Sequence, residues 1–334
     1  MKFKNIFSSQ VRNKVAVMAA VAATAMTTAV PAAHAAYPQQ PINMIVSYAP
    51  GGGTDLVARA LAPYIEKYLG EDARIVVLNR PGAGGEIGFA EVARAKPDGY
   101  TIGFLNTPNI LTIPIQRKAQ YKLSDFDFLG NLIDDPDSFA FNTGKHDFKS
   151  LDDLAKYAKE HPGEVTVGTT GLGSDDHLAM MAFERAAGVE MLHVPYKGAG
   201  EVRTAITTGE ITLAAMNIGE VLAYVDGGSP MKPMGVMSAE RSAIDPSLPT
   251  FREQGYDVIM SSLRGIGAPA GLPDDVRTKL VEAVKKASED PEFREQAKKM
   301  FVPLRYLGPD EYKAELEKNT EFFQKVWDET PWAE

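Results

Sequence analysis

The sequence predicts an α/β protein of two lobes, each built on a mostly parallel sheet. Three observations carry that prediction. Short apolar runs alternate with segments of helical spacing along nearly the whole chain. Glycine-rich turns join several strand-like runs to the helices that follow them. Once an N-terminal leader is set aside, about 300 residues remain, enough for two domains of roughly 100–200 residues each.

The leader is residues 1–35. Lys2, Lys4, Arg12 and Lys14 give it a basic start, Val15 to Val30 is apolar and Ala-rich, and Ala33-His34-Ala35 supplies a small-x-small cleavage signal. A cut after Ala35 predicts an exported, periplasmic chain. No cysteine occurs, which excludes a lipid anchor on a processed N-terminal cysteine, disulfides and thiol chemistry. The apolar run is short and broken by Thr, so no membrane insertion is expected. Removing four basic residues takes the formal charge from −9 to −13. A chain this acidic is a poor partner for nucleic acid or anionic lipid, and any anion site on it must be local.

The elements follow in order. Ile42 to Tyr48 reads as a strand; Val57, Ala60, Leu61, Tyr64, Ile65 and Tyr68 then recur at helical spacing until Gly70. Arg74 to Leu78 is a strand, Ile87 to Ala95 a helix, and Tyr100 to Asn106 a third strand. The theme repeats with a strand at Phe139 to Asn142, a helix from Leu151 capped by Ser150, and a strand at Glu164 to Gly168. A helix through Leu178, Met181, Ala182 and Arg185 follows, then strands at Met191 to Val194 and Ile211 to Met216 around a helix at Glu201 to Thr208. Two long amphipathic helices, about Pro273 to Ser288 and Pro309 to Asp328, cover a sheet from outside. The chain is expected to cross between lobes near Ile133 to Phe139 and Ser261 to Gly265. That gives a discontinuous first lobe, residues 36–136 plus 264–334, and a second lobe, 137–263.

Pro50-Gly51-Gly52-Gly53-Thr54-Asp55 and Arg80-Pro81-Gly82-Ala83-Gly84-Gly85 each follow a strand and open a helix. Such turns bare backbone N–H groups, and the helix N-terminus adds partial positive charge. Gly51, Gly52, Gly53 and Thr54, with Gly82, Ala83, Gly84 and Gly85, are therefore the expected seat of a carboxylate or phosphate. Neither turn ends in Gly-Lys-Ser/Thr, which disfavours a P-loop, and the glycine spacing is wrong for a dinucleotide fingerprint. Thr107 occupies the third strand's end. In the second lobe Thr170, Ser174 and Asn217 stand at strand ends where hydroxyls and amides meet a ligand's far side. His177 lacks a second histidine at ligand spacing, so no metal or other cofactor is expected.

Several segments together resemble a known family. They are Tyr37-Pro38 through Pro41-Ile42, the two glycine turns with Asn79, Pro97-Asp98-Gly99-Tyr100-Thr101, Gly173-Ser174, His193-Val194-Pro195-Tyr196-Lys197-Gly198, and Ala268-Pro269-Ala270-Gly271-Leu272-Pro273. In this order, across essentially the whole mature chain, they resemble the Bug receptors of the tripartite tricarboxylate transporter family. The resemblance implies a type II periplasmic-binding-protein fold whose two lobes close on a small carboxylate held by backbone amides of the two glycine loops. It also implies delivery of that ligand to a membrane transporter with a large and a small subunit.

Arg264 departs from the family pattern, which often places an aromatic at or beside this position. At a crossing between lobes it is expected to fork onto a second ligand carboxylate, favouring a di- or tricarboxylate over a monoacid, with aromatic acids still open. The competing reading is an interlobe salt bridge to Asp135 or Asp137. No nucleophile elbow or catalytic constellation occurs, so the expectation is a monomeric receptor and not an enzyme. The alternatives are a sensory protein that presents its ligand to a membrane partner, or a periplasmic enzyme acting on a carboxylate.

Overall fold

In the computed structural model, which describes residues 37–333, the fold begins with β1 (Ile42–Val46). The predicted leader and its cut after Ala35 lie outside the described residues. Ile42, Met44, Ile45 and Val46 are all buried, as a near-continuous apolar strand must be when both sheet faces are covered. The chain continues through α1 (Gly53–Leu69), β2 (Ile75–Asn79), α2 (Glu86–Ala93) and β3 (Thr101–Asn106). β1 lies between β2 and β3, parallel to both. α1 ends where predicted: Gly70, at φ +126°, closes it by donating its N–H to the Glu66 carbonyl.

After α3 (Asn109–Gln116) comes β4 (Phe126–Asn142), a strand of 17 residues. The second half holds α4 (Leu151–Glu160), β5 (Thr166–Thr169), α5 (Asp175–Ala187), β6 (Leu192–Pro195), α6 (Ala199–Thr208), β7 (Leu213–Asn217), α7 (Ile218–Asp226) and β8 (Met231–Pro233). β9 (Ser261–Pro269) returns the chain, followed by α8 (Asp274–Glu289), α9 (Pro291–Lys299), β10 (Leu304–Leu307) and α10 (Pro309–Glu329).

The strand order is β2-β1-β3-β9-β4-β7-β5-β6, with β8 and β10 also paired to β4. β4 is the shared spine. Its first part pairs antiparallel with β9, from Phe126 opposite Pro269 to Pro136 opposite Ser261. Its last part pairs antiparallel with β7, from Asp137 opposite Asn217 to Phe141 opposite Leu213. The segments read from sequence as crossings are thus continuous strand. Asp134, Asp135, Pro136, Asp137 and Ser138 interrupt the apolar pattern that would have disclosed it, yet Asp135, Asp137 and Ser138 are buried. Helices α3, α7 and α9 also go beyond the elements that the sequence pattern predicts.

Candidate functional site

The middle of this long sheet carries a cluster of polar side chains from many elements. Gly53 opens α1, Asn106 ends β3, and Arg264 lies on β9. Asp135 and Asp137 lie on β4, Asn217 ends β7 and Glu220 stands in the first turn of α7. Thr170 and Asp175 come from the loop into α5 and its first residue. All of these but Asp137 line one or both of two adjoining cavities. One, of about 30 Å³, is lined by Gly52, Gly53, Thr54, Asn106, Thr170, Asp175, Asn217, Glu220 and Arg264, among others. The other, of about 240 Å³, is more apolar, with Leu56, Val57, Ile133, Ala223 and Phe301 in its wall. Gly53, Glu220 and Arg264 belong to both and form the partition.

Arg264, 3% exposed, organises that partition. Its Nη2 donates to Asn217 Oδ1 at 2.7 Å and to Glu220 Oε1 at 3.2 Å, and lies 3.5 Å from Asp135 Oδ2. Glu220 Oε1 also accepts the Gly53 N–H at 3.0 Å. A Cβ at position 53 would stand 2.1 Å from Glu220 Oε1 and 2.5 Å from Arg264 Nη1, so a side chain there requires one of these two to shift. Arg264 is thus paired here with Asp135, as the competing reading held, and with Glu220 besides. Glu220 escaped notice because an acid in a helix's first turn ordinarily serves the dipole.

The first glycine loop thus meets protein carboxylates at two of its amides. Gly51 N–H donates to Asp55 Oδ2 at 2.9 Å, and Asp55 is held in turn by Arg59 and Asn79. Thr54 Oγ1 accepts from Asn106 Nδ2 at 2.8 Å. The second glycine turn stands apart from the lining of both cavities. There Gly82, Ala83, Gly84 and Gly85 all have positive φ and curl into a tight turn. Its carbonyls are engaged instead: Gly84 O accepts from Asn109 Nδ2 and Ala83 O from Arg117 Nη2. The expectation that both turns converge on one anion is not what this geometry brings together.

The remaining predicted residues divide in the same way. Thr170 lines the smaller cavity while donating both its N–H and its hydroxyl to Asp176 Oδ2, at 2.8 and 2.6 Å. Asn217 lines it too, and its amide donates to Asp175 Oδ2 at 2.8 Å and Asp137 Oδ1 at 3.2 Å. Ser174 serves as N-cap of α5, accepting from His177 N and donating to Gly171 O. Thr107 Oγ1 accepts the Leu263 N–H at 2.8 Å, tying the end of β3 to β9. His177, read as a lone histidine, stacks on His193 with ring centroids 3.8 Å apart. Burial lowers their pKa values to about 3 and about 4, so both rings are neutral.

Five carboxylates, Asp135, Asp137, Asp175, Asp176 and Glu220, gather in this cluster, with Asp135 and Glu220 in contact with the Arg264 guanidinium. Burial is the main reason the aspartates resist ionisation: Asp135 is pushed up to about 7 and Asp175 to about 6. Asp137 and Asp176 are raised well above the usual carboxylate range. Oxygens of Asp137, Asp175 and Asp176 lie within 4.8 Å of one another. Three buried polar atoms here have no hydrogen-bond partner: Arg264 Nε, Asn106 Oδ1 and Asp137 Oδ2.

A long sheet shared by two α/β halves, with a polar cleft where its elements meet, defines the two-lobed fold of periplasmic solute-binding proteins. Residues 57–313 match the family described as "Tripartite tricarboxylate transporter family receptor", and the chain belongs to that family. A Cupriavidus necator protein described as "UPF0065 protein in gbd 5'region" is 31% identical over 283 residues, covering 83% of each chain. The solved periplasmic binding protein BugD is 30% identical, with a TM-score of 0.81 over 88% of this chain and 98% of its own. An R. palustris protein solved with adipate is 26% identical, with a TM-score of 0.82 over 87% of this chain and 97% of its own. No helix among the described residues is long and apolar enough to cross a membrane.

Proposed function

We propose that this chain is an exported receptor that captures a small organic carboxylate in the cleft and delivers it to a tripartite membrane transporter. One observation carries the ligand class. Gly53 N–H and Arg264 Nη2 converge on a single carboxylate oxygen, Glu220 Oε1, at 3.0 and 3.2 Å. The position is thus built to hold a carboxylate, and Glu220 marks where a ligand's would sit. Family membership and the adipate found in the R. palustris relative support the same class.

In this reading residues 36–136 with 264–334 form one lobe and 137–263 the other. The ligand carboxylate docks at Gly52, Gly53 and Thr54 beside Arg264, and Thr170 and Asn217 close over it from the second lobe. Closure is driven only by the stronger binding of the ligand to the closed form than to the open one. The acid is returned unchanged, and the closed surface is what the transporter's membrane subunits recognise.

The test is a thermal-shift screen of the refolded chain against mono-, di- and tricarboxylates, aromatic acids and amino acids. A ligand of the folded state raises the melting temperature in step with its concentration. A rise with one class of acid is expected, and no rise with any of them contradicts the reading.

A further inference from the structure

The charge balance of the cleft says more about the ligand than the presence of a carboxylate seat. Four buried aspartates and the partly buried Glu220 share the cleft with one buried guanidinium, and a charge taken out of water must be paired or neutralised. Protons meet part of the deficit, since Asp137 and Asp176 favour their neutral forms. Two acids remain that line the smaller cavity directly, Asp175 and Glu220. Asp175, at about 6, is ionised at neutral pH. The Asn217 amide that reaches Asp175 is shared with Asp137 and with the Asp135 carbonyl, so it does not neutralise either acid.

The partnerless atoms in the same place are of both kinds. Arg264 Nε is a donor without an acceptor and Asn106 Oδ1 an acceptor without a donor. Both residues line the smaller cavity, and they are 3% and 4% exposed. A plain dicarboxylate satisfies the donor, leaves the acceptor unpaired, and sets its second negative charge against Asp175 and Glu220. An acid that also bears an ammonium satisfies both.

We infer that the cleft selects a carboxylate carrying a cationic nitrogen, with Glu220 and Asp175 as the residues that set the preference. The inference rests on the receptor reading above. The ligand's carboxylate takes the place of Glu220 Oε1 at Gly53 N–H and Arg264. Glu220, released from that seat, and Asp175 then pair with the ammonium, while Asn106 Oδ1 accepts one of its hydrogens. The specificity device is partly repulsive: an anion without a positive group that takes this seat strips Glu220 of its Gly53 and Arg264 donors and sets its own charge against Glu220 and Asp175.

Isothermal titration at about pH 7.5 with matched pairs tests this. Each pair shares a skeleton with and without the amine: alanine and propionate, aspartate and succinate, glutamate and glutarate, 4-aminobutyrate and butyrate. In at least one pair the amino member is expected to bind about tenfold or more tightly than its partner. Glu220→Gln and, separately, Asp175→Asn are expected to shrink that ratio severalfold, each variant first checked for a cooperative melt. If neither variant folds, the comparison on the unaltered chain still decides. Plain acids binding as tightly as their amino partners, or more tightly, would overturn the inference and leave the receptor reading standing. A ratio unmoved in folded variants would remove Glu220 and Asp175 as its cause. Failure of every acid of both kinds to bind would overturn the inference together with the receptor reading.

Discussion

At the scale of single residues, the proposed seat turns on Gly53, where a side chain would crowd Glu220 and Arg264. The Cβ of Gly53→Ala meets Glu220 and Arg264 at distances that require one of them to move. That substitution is expected to lower affinity for the cognate acid by about tenfold or more, as a displaced partner in a desolvated site does. Calorimetry on the folded variant checks it, and unchanged affinity would separate the ligand from this loop.

Asp135 gives a pH dependence whose sign is fixed by its environment. Burial, with Glu220 and Asp175 nearby, holds its carboxyl at about 7 despite Arg264 and the Gly219 N–H. From about pH 4 to about pH 7 the unfolded chain has released this proton and the folded chain has not, so stability falls as pH rises. The loss is complete above the folded value. Asp135→Asn does not titrate. Its stability relative to the parent should therefore grow between about pH 4 and about pH 7 and level off above, as read from paired denaturant melts. A difference that shrinks with pH would reverse the assignment.

At the scale of elements, how much the sequence disclosed depended on how regular each segment's pattern is. α1, with its apolar stripe and closing Gly70, and the parallel strands β1 and β3 were legible because both faces of the sheet are covered there and the strands read as apolar runs, while the edge strand β2 was legible from its own apolar run. β4 was legible only in its last four residues. Its middle, Asp134 to Ser138, includes Asp135 and Asp137 of the site, and local pattern cannot tell buried polar groups from a loop. The first glycine turn and Asn217 could be picked out because turn chemistry and strand ends are local signals. The pairing of Arg264 with Glu220 joins residues 44 apart in sequence, and no local signal marks it.

Ser174 shows the same limit from the other side. Its position at a strand-to-helix turn predicted a ligand contact, while its bonds to His177 N and Gly171 O are those of a cap. Ser174→Ala is expected to cost about 1 kcal/mol, seen as a lower denaturant midpoint at unchanged slope. A fall in affinity with the midpoint unmoved would instead put the hydroxyl on the ligand.

At the scale of the whole molecule, the C-terminal tryptophans take on a role their place in the sequence hid. Two tryptophans near the chain's end suggest poor reporters of closure. Yet Trp332 is 4% exposed, and a Cβ on Gly173, in the turn leading to α5, would lie 3.0 Å from its Nε1. It packs against Trp327 with ring centroids 4.7 Å apart. α10 crosses back over the sheet and brings this end of the chain onto the second half of the fold. Ligand addition is therefore expected to change tryptophan emission, and Trp332→Phe to abolish most of the change. A saturated protein with unaltered emission would show that the Gly173 turn keeps its place against Trp332 when ligand binds.

The central claim is that the seat now filled by Glu220 is where the ligand's carboxylate goes. A crystal structure of the chain with the acid that gives the largest melting shift tests it most directly. The account predicts a ligand carboxylate within hydrogen-bond distance of Gly53 N and Arg264 Nη2, with Glu220 turned away. A bound acid held elsewhere, with Glu220 Oε1 still on Gly53, would contradict it.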